Sequence, residues 1–181
     1  MQHFWLCKGL TVLVLLAGPA YAGLGLMKNM VSETPQPGAF PLVTSGQEAS
    51  LCYDTNDYKG VIRAVGDLQA DIERVTCKKP RLSAERPVSG CPVIVGTLGK
   101  SETIDRLVAS GKLNVTDLKG KWESFVIATI DDPAPGVEQA LVIAGSDKRG
   151  TIYGIYELSE QLGVSPWYWW ADVPVKKRAQ A

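Results

Sequence analysis

The sequence predicts an α/β fold, a mixed β-sheet with helices packed on it. Two patterns alternate along the chain. β-Branched apolar runs at Pro92–Leu98, Ser124–Ile130 and Ala140–Ala144 read as buried strands. Between and after them, apolar residues recur at helical spacing, most clearly at Val61, Val65, Leu68, Ile72 and Val75. Turn residues mark the junctions, and strands interleaved with helices imply one sheet with helices against it.

Residues 1–22 read as an export signal. Lys8 precedes the apolar run Gly9–Ala17, Gly18-Pro19 breaks it, and Ala20-Tyr21-Ala22 has the small-x-small form of a cleavage site. The run is shorter than the roughly 20 residues that span a bilayer as a helix, although an uncleaved anchor is the alternative. The expectation is a periplasmic or extracellular protein with no membrane segment after cleavage. Gly23–Gly38, rich in glycine, proline and polar residues, reads as a flexible lead-in, residues 39–166 as the α/β domain, and residues 167–181 as an aromatic linker.

Within the domain, Phe40–Val43 and Leu51–Tyr53 are short strand candidates. The Asp54-Thr55-Asn56-Asp57 cluster suits a turn and a helix cap before the 61–75 helix. After the 92–98 strand, Ser101 is placed to cap a short helix running to Val108 and closed by Gly111. Asp131-Asp132-Pro133-Ala134-Pro135-Gly136 is turn chemistry, which explains the acidic pair better than an acid/base dyad does. A last helix is predicted from Thr151 to about Leu162 and ends at Gly163. On it Ile152, Ile155, Tyr156 and Ser159 share a side, leaving Glu157 and Glu160 elsewhere, as a solvated pair.

Composition excludes several functions. The chain has 19 basic and 19 acidic residues with no long run of either sign, so it lacks the basic footprint of a nucleic-acid binder. Its single histidine, His3, lies in the export signal. The mature chain therefore has no imidazole for a Ser-His-Asp triad, a Cys-His pair or a histidine-ligated metal. Neither a metal nor a cofactor is expected. Cys52, Cys77 and Cys91 remain after cleavage, at spacings that match no zinc pattern. In an oxidising compartment Cys77 and Cys91 are a candidate disulfide, worth on the order of 3 kcal/mol. The alternative is three unpaired thiols.

Gly145-Ser-Asp-Lys-Arg-Gly150 between a strand and a helix has the outline of a phosphate loop, but the Lys-Ser/Thr that should follow the second glycine is replaced by Thr151-Ile152. Two readings remain. Lys148 and Arg149 beside a helix N-terminus suit a carboxylate such as that of a uronic acid. Alternatively Asp147 pairs with one of them and caps the turn, with the glycines serving close packing. Further on, Trp167, Tyr168, Trp169 and Trp170 bring roughly 600–1000 Å² of aromatic surface that needs cover by core, partner or sugar.

Here a resemblance becomes specific. Ala144–Glu157 (AGSDKRGTIYGIYE) running into Ser165–Pro174 (SPWYWWADVP) resembles the N-terminal domain of glycoside hydrolase family 115. Asn56–Arg63, Asp67–Arg74 and Pro92–Gly99 agree with it, so the likeness covers about Phe40 to Lys177. The family's members are α-glucuronidases that remove glucuronic acid or its 4-O-methyl ether from xylan. The resemblance implies an α/β domain similar to the non-catalytic N-terminal domains of family 20, 67 and 115 glycoside hydrolases, followed by a (β/α)₈ barrel that carries catalysis. It implies no catalytic residue within this sequence.

The expectation is thus an inactive fragment of an exported α-glucuronidase, truncated before the barrel. Its partners would be that C-terminal barrel and, through the full-length enzyme, glucuronoxylan or xylo-oligosaccharides. Two other readings stay open. One is a stand-alone carbohydrate-binding module using Lys148, Arg149, Trp167 and Trp169; the other is an interaction domain that pairs with a separately encoded barrel.

Overall fold

The computed structural model describes residues 30–34, 36–44, 47–84, 87 and 89–181, without the side chain of Trp169. The predicted export signal and the first part of the lead-in lie outside the described residues. Five strands form one sheet: β1 (Ser50–Tyr53), β2 (Leu82–Ser83), β3 (Pro92–Thr97), β4 (Phe125–Ala134) and β5 (Val137–Gly145). Their order is β2-β1-β3-β5-β4; four strands run parallel and β4 runs antiparallel to β5 at one edge. The helices are α1 (Lys59–Thr76), α2 (Glu102–Ala109), α3 (Lys148–Leu162) and the single turn α4 (Tyr168–Ala171).

The sheet is buried on both faces because its side chains alternate. In β3, Val93 and Val95 join the core under α1 and α3, while Ile94 turns to the core under α2. α1 forms as its spacing predicts: Val61, Val65, Leu68, Ile72 and Val75 are all buried. Each buried aliphatic side chain contributes about 1.5–3 kcal/mol, more than the helix's intrinsic propensity supplies. Ser101 caps α2 by accepting from the Ile104 amide, and Gly163, at φ 116°, ends α3 in the left-handed region that glycine tolerates best.

Several expectations are corrected. Phe40–Val43 is no strand: only Val43 bridges, to Glu48. Asp57 does not cap α1 as a terminal Asx does, since the N-cap is Tyr58, which makes no side-chain cap. The acidic segment after Ile130 is not all turn. β4 continues to Ala134 through a bulge between Asp131 and Ala134, and the reversal is Pro135-Gly136 alone, because pairing with β5 keeps the ladder going. α3 starts at Lys148, three residues early, because Asp147 rather than the loop's end supplies its cap.

Glu157 is not on a solvated face. It is fully buried, because α3 packs against the sheet on one side and α1 on another, leaving little of its circumference open. Nor do residues 167–181 leave the domain as a linker. α4 forms, and the chain then folds back, with Lys176 N donating to Gly163 O at 3.0 Å and Val43 and Ala181 exchanging backbone bonds of 2.6 and 3.0 Å. Among the described residues no helix is long and apolar enough to cross a membrane.

Candidate functional site

In a parallel sheet, ligands usually sit beyond the carboxyl ends of the strands, where successive connections leave for opposite faces. Here that point lies between β1, which leads to α1, and β3, which leads to α2. Side chains of the chain itself fill it. Buried Asp57 accepts from the Thr97 amide and the Tyr58 amide, both at 2.7 Å. Asp54 accepts from Asn56 N and from Glu102 N at the start of α2, both at 2.9 Å. These two carboxylates tie the first turns of α1 and α2 to the strand ends. Sequence reading noted them only as turn and helix-cap residues; their position at the end of β1 was the available signal.

The glycine loop at the end of β5 is closed in the same way. A Cβ on Gly145 would lie 2.1 Å from Thr151 N, and one on Gly150 would lie 2.3 Å from Ser124 O. Both positions admit only hydrogen, so α3 can press onto β5 and onto the residue before β4. Thr97 and Thr151 hydroxyls meet at 2.8 Å beneath the loop. Asp147 accepts from Gly150 N and Glu123 N, both at 2.8 Å. The Glu123 amide, then that of Gly150, hold its carboxyl below the usual carboxylate range. The anion at this helix terminus is therefore Asp147 itself.

Arg149 is engaged as well, in an ion pair of 2.8 Å with Glu123 and a bond of 2.8 Å to the Tyr153 hydroxyl. Lys148 is exposed. Trp167 and Trp170 are exposed at 63% and 84%, so neither indole is absorbed by the core. Tyr168 does pack against the core and carries the Arg74 guanidinium 5.5 Å from its ring centre. Lys148 and Arg149 begin α3 and the tryptophans follow its end, so about 22 Å of helix separates them. Lys148 and Arg149 therefore do not share one surface with Trp167.

A cavity of about 540 Å³ lies between the lead-in and the sheet, lined by Phe40, Leu42, Ile127, Leu141 and Leu158 among others. Its acidic residue, Glu33, pairs with Arg178 at 3.2 Å. Between α1 and α3 lies a polar seam. Burial pushes the Asp71 carboxyl up, while Ser159 and Arg74 pull it down. Tyr156 donates to Asp67 at 2.8 Å, and burial, then that bond, push its phenol up to about 12. Glu157 accepts from Gln161 through one oxygen; the other has no hydrogen-bonding partner among the described residues.

Cys77 and Cys91 are not joined. Cys77 is exposed at the end of α1 and Cys91 half-buried before β3, with β2 between them in sequence laid on the outer edge of β1. Among the described residues no cluster of His, Cys, Asp or Glu is placed to hold a metal.

No protein-family model matches the sequence, and no curated protein does. A solved structure does match: a family 115 4-O-methyl-α-glucuronidase with specificity for decorated arabinogalactans. It is 32% identical over 77% of this chain, with a TM-score of 0.62. The chain has the fold of one part of a family 115 α-glucuronidase. It spans 16% of that enzyme's length. The family 115 likeness read from Ala144–Glu157 and Ser165–Pro174 is thus matched by the fold, and the α/β class with it.

Proposed function

We propose that this chain is a non-catalytic α/β domain of an exported α-glucuronidase. The enzyme it serves removes glucuronic acid or its 4-O-methyl ether from a branched polysaccharide of the xylan or arabinogalactan class. The observation that carries the reading is the 32% identical match to a glucuronidase, confined to 16% of that enzyme. Glycoside hydrolysis needs two carboxyl groups about 5–9.5 Å apart across an open cleft. Here Asp54, Asp57 and Asp147 spend their oxygens on backbone amides, and Glu33, the acidic side chain among the described residues that line the cavity, is already paired with Arg178. Asp71 and Glu157 are buried between packed elements.

The domain's part is to hold an aromatic face ready. Trp167 and Trp170, three residues apart around one helical turn, are both exposed, a surface suited to packing against a catalytic body. A sugar-stacking role is the second reading, favoured by the same exposed indoles. Lys148 and Arg149 act in this scheme as surface and packing residues. Export follows from the signal-like residues 1–22.

The purified chain, incubated with glucuronoxylan oligosaccharides and with uronosylated arabinogalactan fragments, is expected to release no free uronic acid. Its tryptophan fluorescence is expected to show no saturable change on adding either sugar. Release of uronic acid would overturn the non-catalytic reading. Saturable quenching abolished by Trp167→Ala would replace the packing role with the binding-module role.

A further inference from the structure

Lys177 and Arg178 lie in an irregular segment, yet they serve the ends of two helices. The last carbonyls of an α-helix lack intrahelical donors and carry partial negative charge. α3 has no basic residue in its last turn. Arg178 supplies one from beyond it: Nε donates to Leu162 O at 2.9 Å and Nη2 to Gln161 O at 3.4 Å. Lys177 Nζ donates to Arg74 O in the last turn of α1 at 2.6 Å, and Arg178 N donates to Val75 O at 3.0 Å. The Arg178 side chain is only 9% exposed, and its remaining partner is Glu33 of the lead-in, at 3.2 Å.

We infer that Arg178 is a clasp that makes two distant segments, residues 30–44 and 172–181, one cooperative unit locked on the ends of α1 and α3. The physical reason is that neither segment can leave alone without cost. If residues 172–181 lift away, the carbonyls of α3 lose Arg178, the carboxylate of Glu33 loses both Arg178 and the more distant Lys176, and Val43 loses both bonds to Ala181. If the lead-in lifts away, a guanidinium with little access to water loses its counter-charge. The clasp also sets the heading of the aromatic turn, since α4 is held between Gly163 and Lys176, which bond to each other. It stands whether or not the domain serves a glucuronidase.

Hydrogen exchange followed by mass spectrometry on the full chain tests it. Arg178→Ala is expected to accelerate exchange about tenfold in both segments together, at the amides of Val43, Lys176 and Ala181, with α2 and β3 unchanged. Glu33→Gln, which keeps the side chain's size, is expected to give a smaller acceleration of about two- to fivefold in the same two segments. Acceleration of residues 172–181 with Val43 unaffected overturns the clasp, as does no acceleration in either. Should Arg178→Ala unfold the whole domain, Glu33→Gln decides alone: a rise confined to the lead-in refutes the coupling, and a joint rise upholds it.

Discussion

Replacing Asp147 by alanine tests the claim that this carboxylate, rather than a bound anion, completes the glycine loop. Two bonds are lost, one to Gly150 N and one to Glu123 N, both 2.8 Å long. Loss of a helix N-cap costs about 1 kcal/mol. A hydrogen bond to a charged acceptor nets about 1.5–3 kcal/mol in general, and the half-exposed setting of Asp147 cuts that to roughly 1 kcal/mol. The variant is therefore expected to be about 2 kcal/mol less stable at pH 7, lowering the melting temperature by about 4–8 °C. Asp147→Asn retains an acceptor for one amide and should recover about half of the loss. Because the folded carboxyl is held below its ordinary value, its contribution is complete above the unfolded pKa of about 4 and fades as pH falls through the lower folded value. Urea titrations of the two proteins should thus differ most at pH 7, and the gap should narrow as the pH falls below the ordinary carboxylate value, the neutral carboxyl keeping an acceptor much as Asp147→Asn does. Equal midpoints at pH 7, or a gap that does not narrow at all in acid, would refute the capping argument.

Two further outcomes are expected. Gly145→Ala places a methyl group 2.1 Å from the Thr151 backbone nitrogen, and forcing α3 off β5 should cost about 3 kcal/mol, read as a lower urea midpoint; a neutral substitution would show that α3 is not seated by close packing there. Tyr156 has its phenol raised to about 12, so its contribution is complete below the ordinary value of 10.0 and is lost as pH rises toward 12. Absorbance titration should show one late-ionising tyrosine that Tyr156→Phe removes, and an unchanged titration curve would mean that the bond to Asp67 is not kept in solution.

How much of this was legible in the sequence depends on how far each signal reaches. α1 was visible because five aliphatic residues at 3.6-residue spacing report burial along one line of the chain. Ser101 and Gly163 were visible because a cap acts within three or four residues of itself. β2 was missed because two residues carry no periodicity; Leu82 and Ser83 become a strand only by lying beside Leu51 and Cys52. Asp57 looked like a turn residue because its main partner, Thr97 N, is forty residues away. Glu157 looked solvated because a charged side chain is usually solvated, and only the wrapping of α3 by other elements buries it.

By itself, then, the sequence determined the α/β class, the main helices and strands, the caps at Ser101 and Gly163, and the likeness to a family 115 glucuronidase carried by two unbroken motifs. Tertiary structure decided the strand order, the occupation of both strand-end sites by Asp57 and Asp147, and the separation of Lys148 and Arg149 from the tryptophans. It also decided that residues 172–181 return to the domain rather than leave it. The reason is one of distance: propensity, periodicity and capping act over a few residues, whereas these outcomes depend on which backbone amides and carbonyls meet across the folded chain.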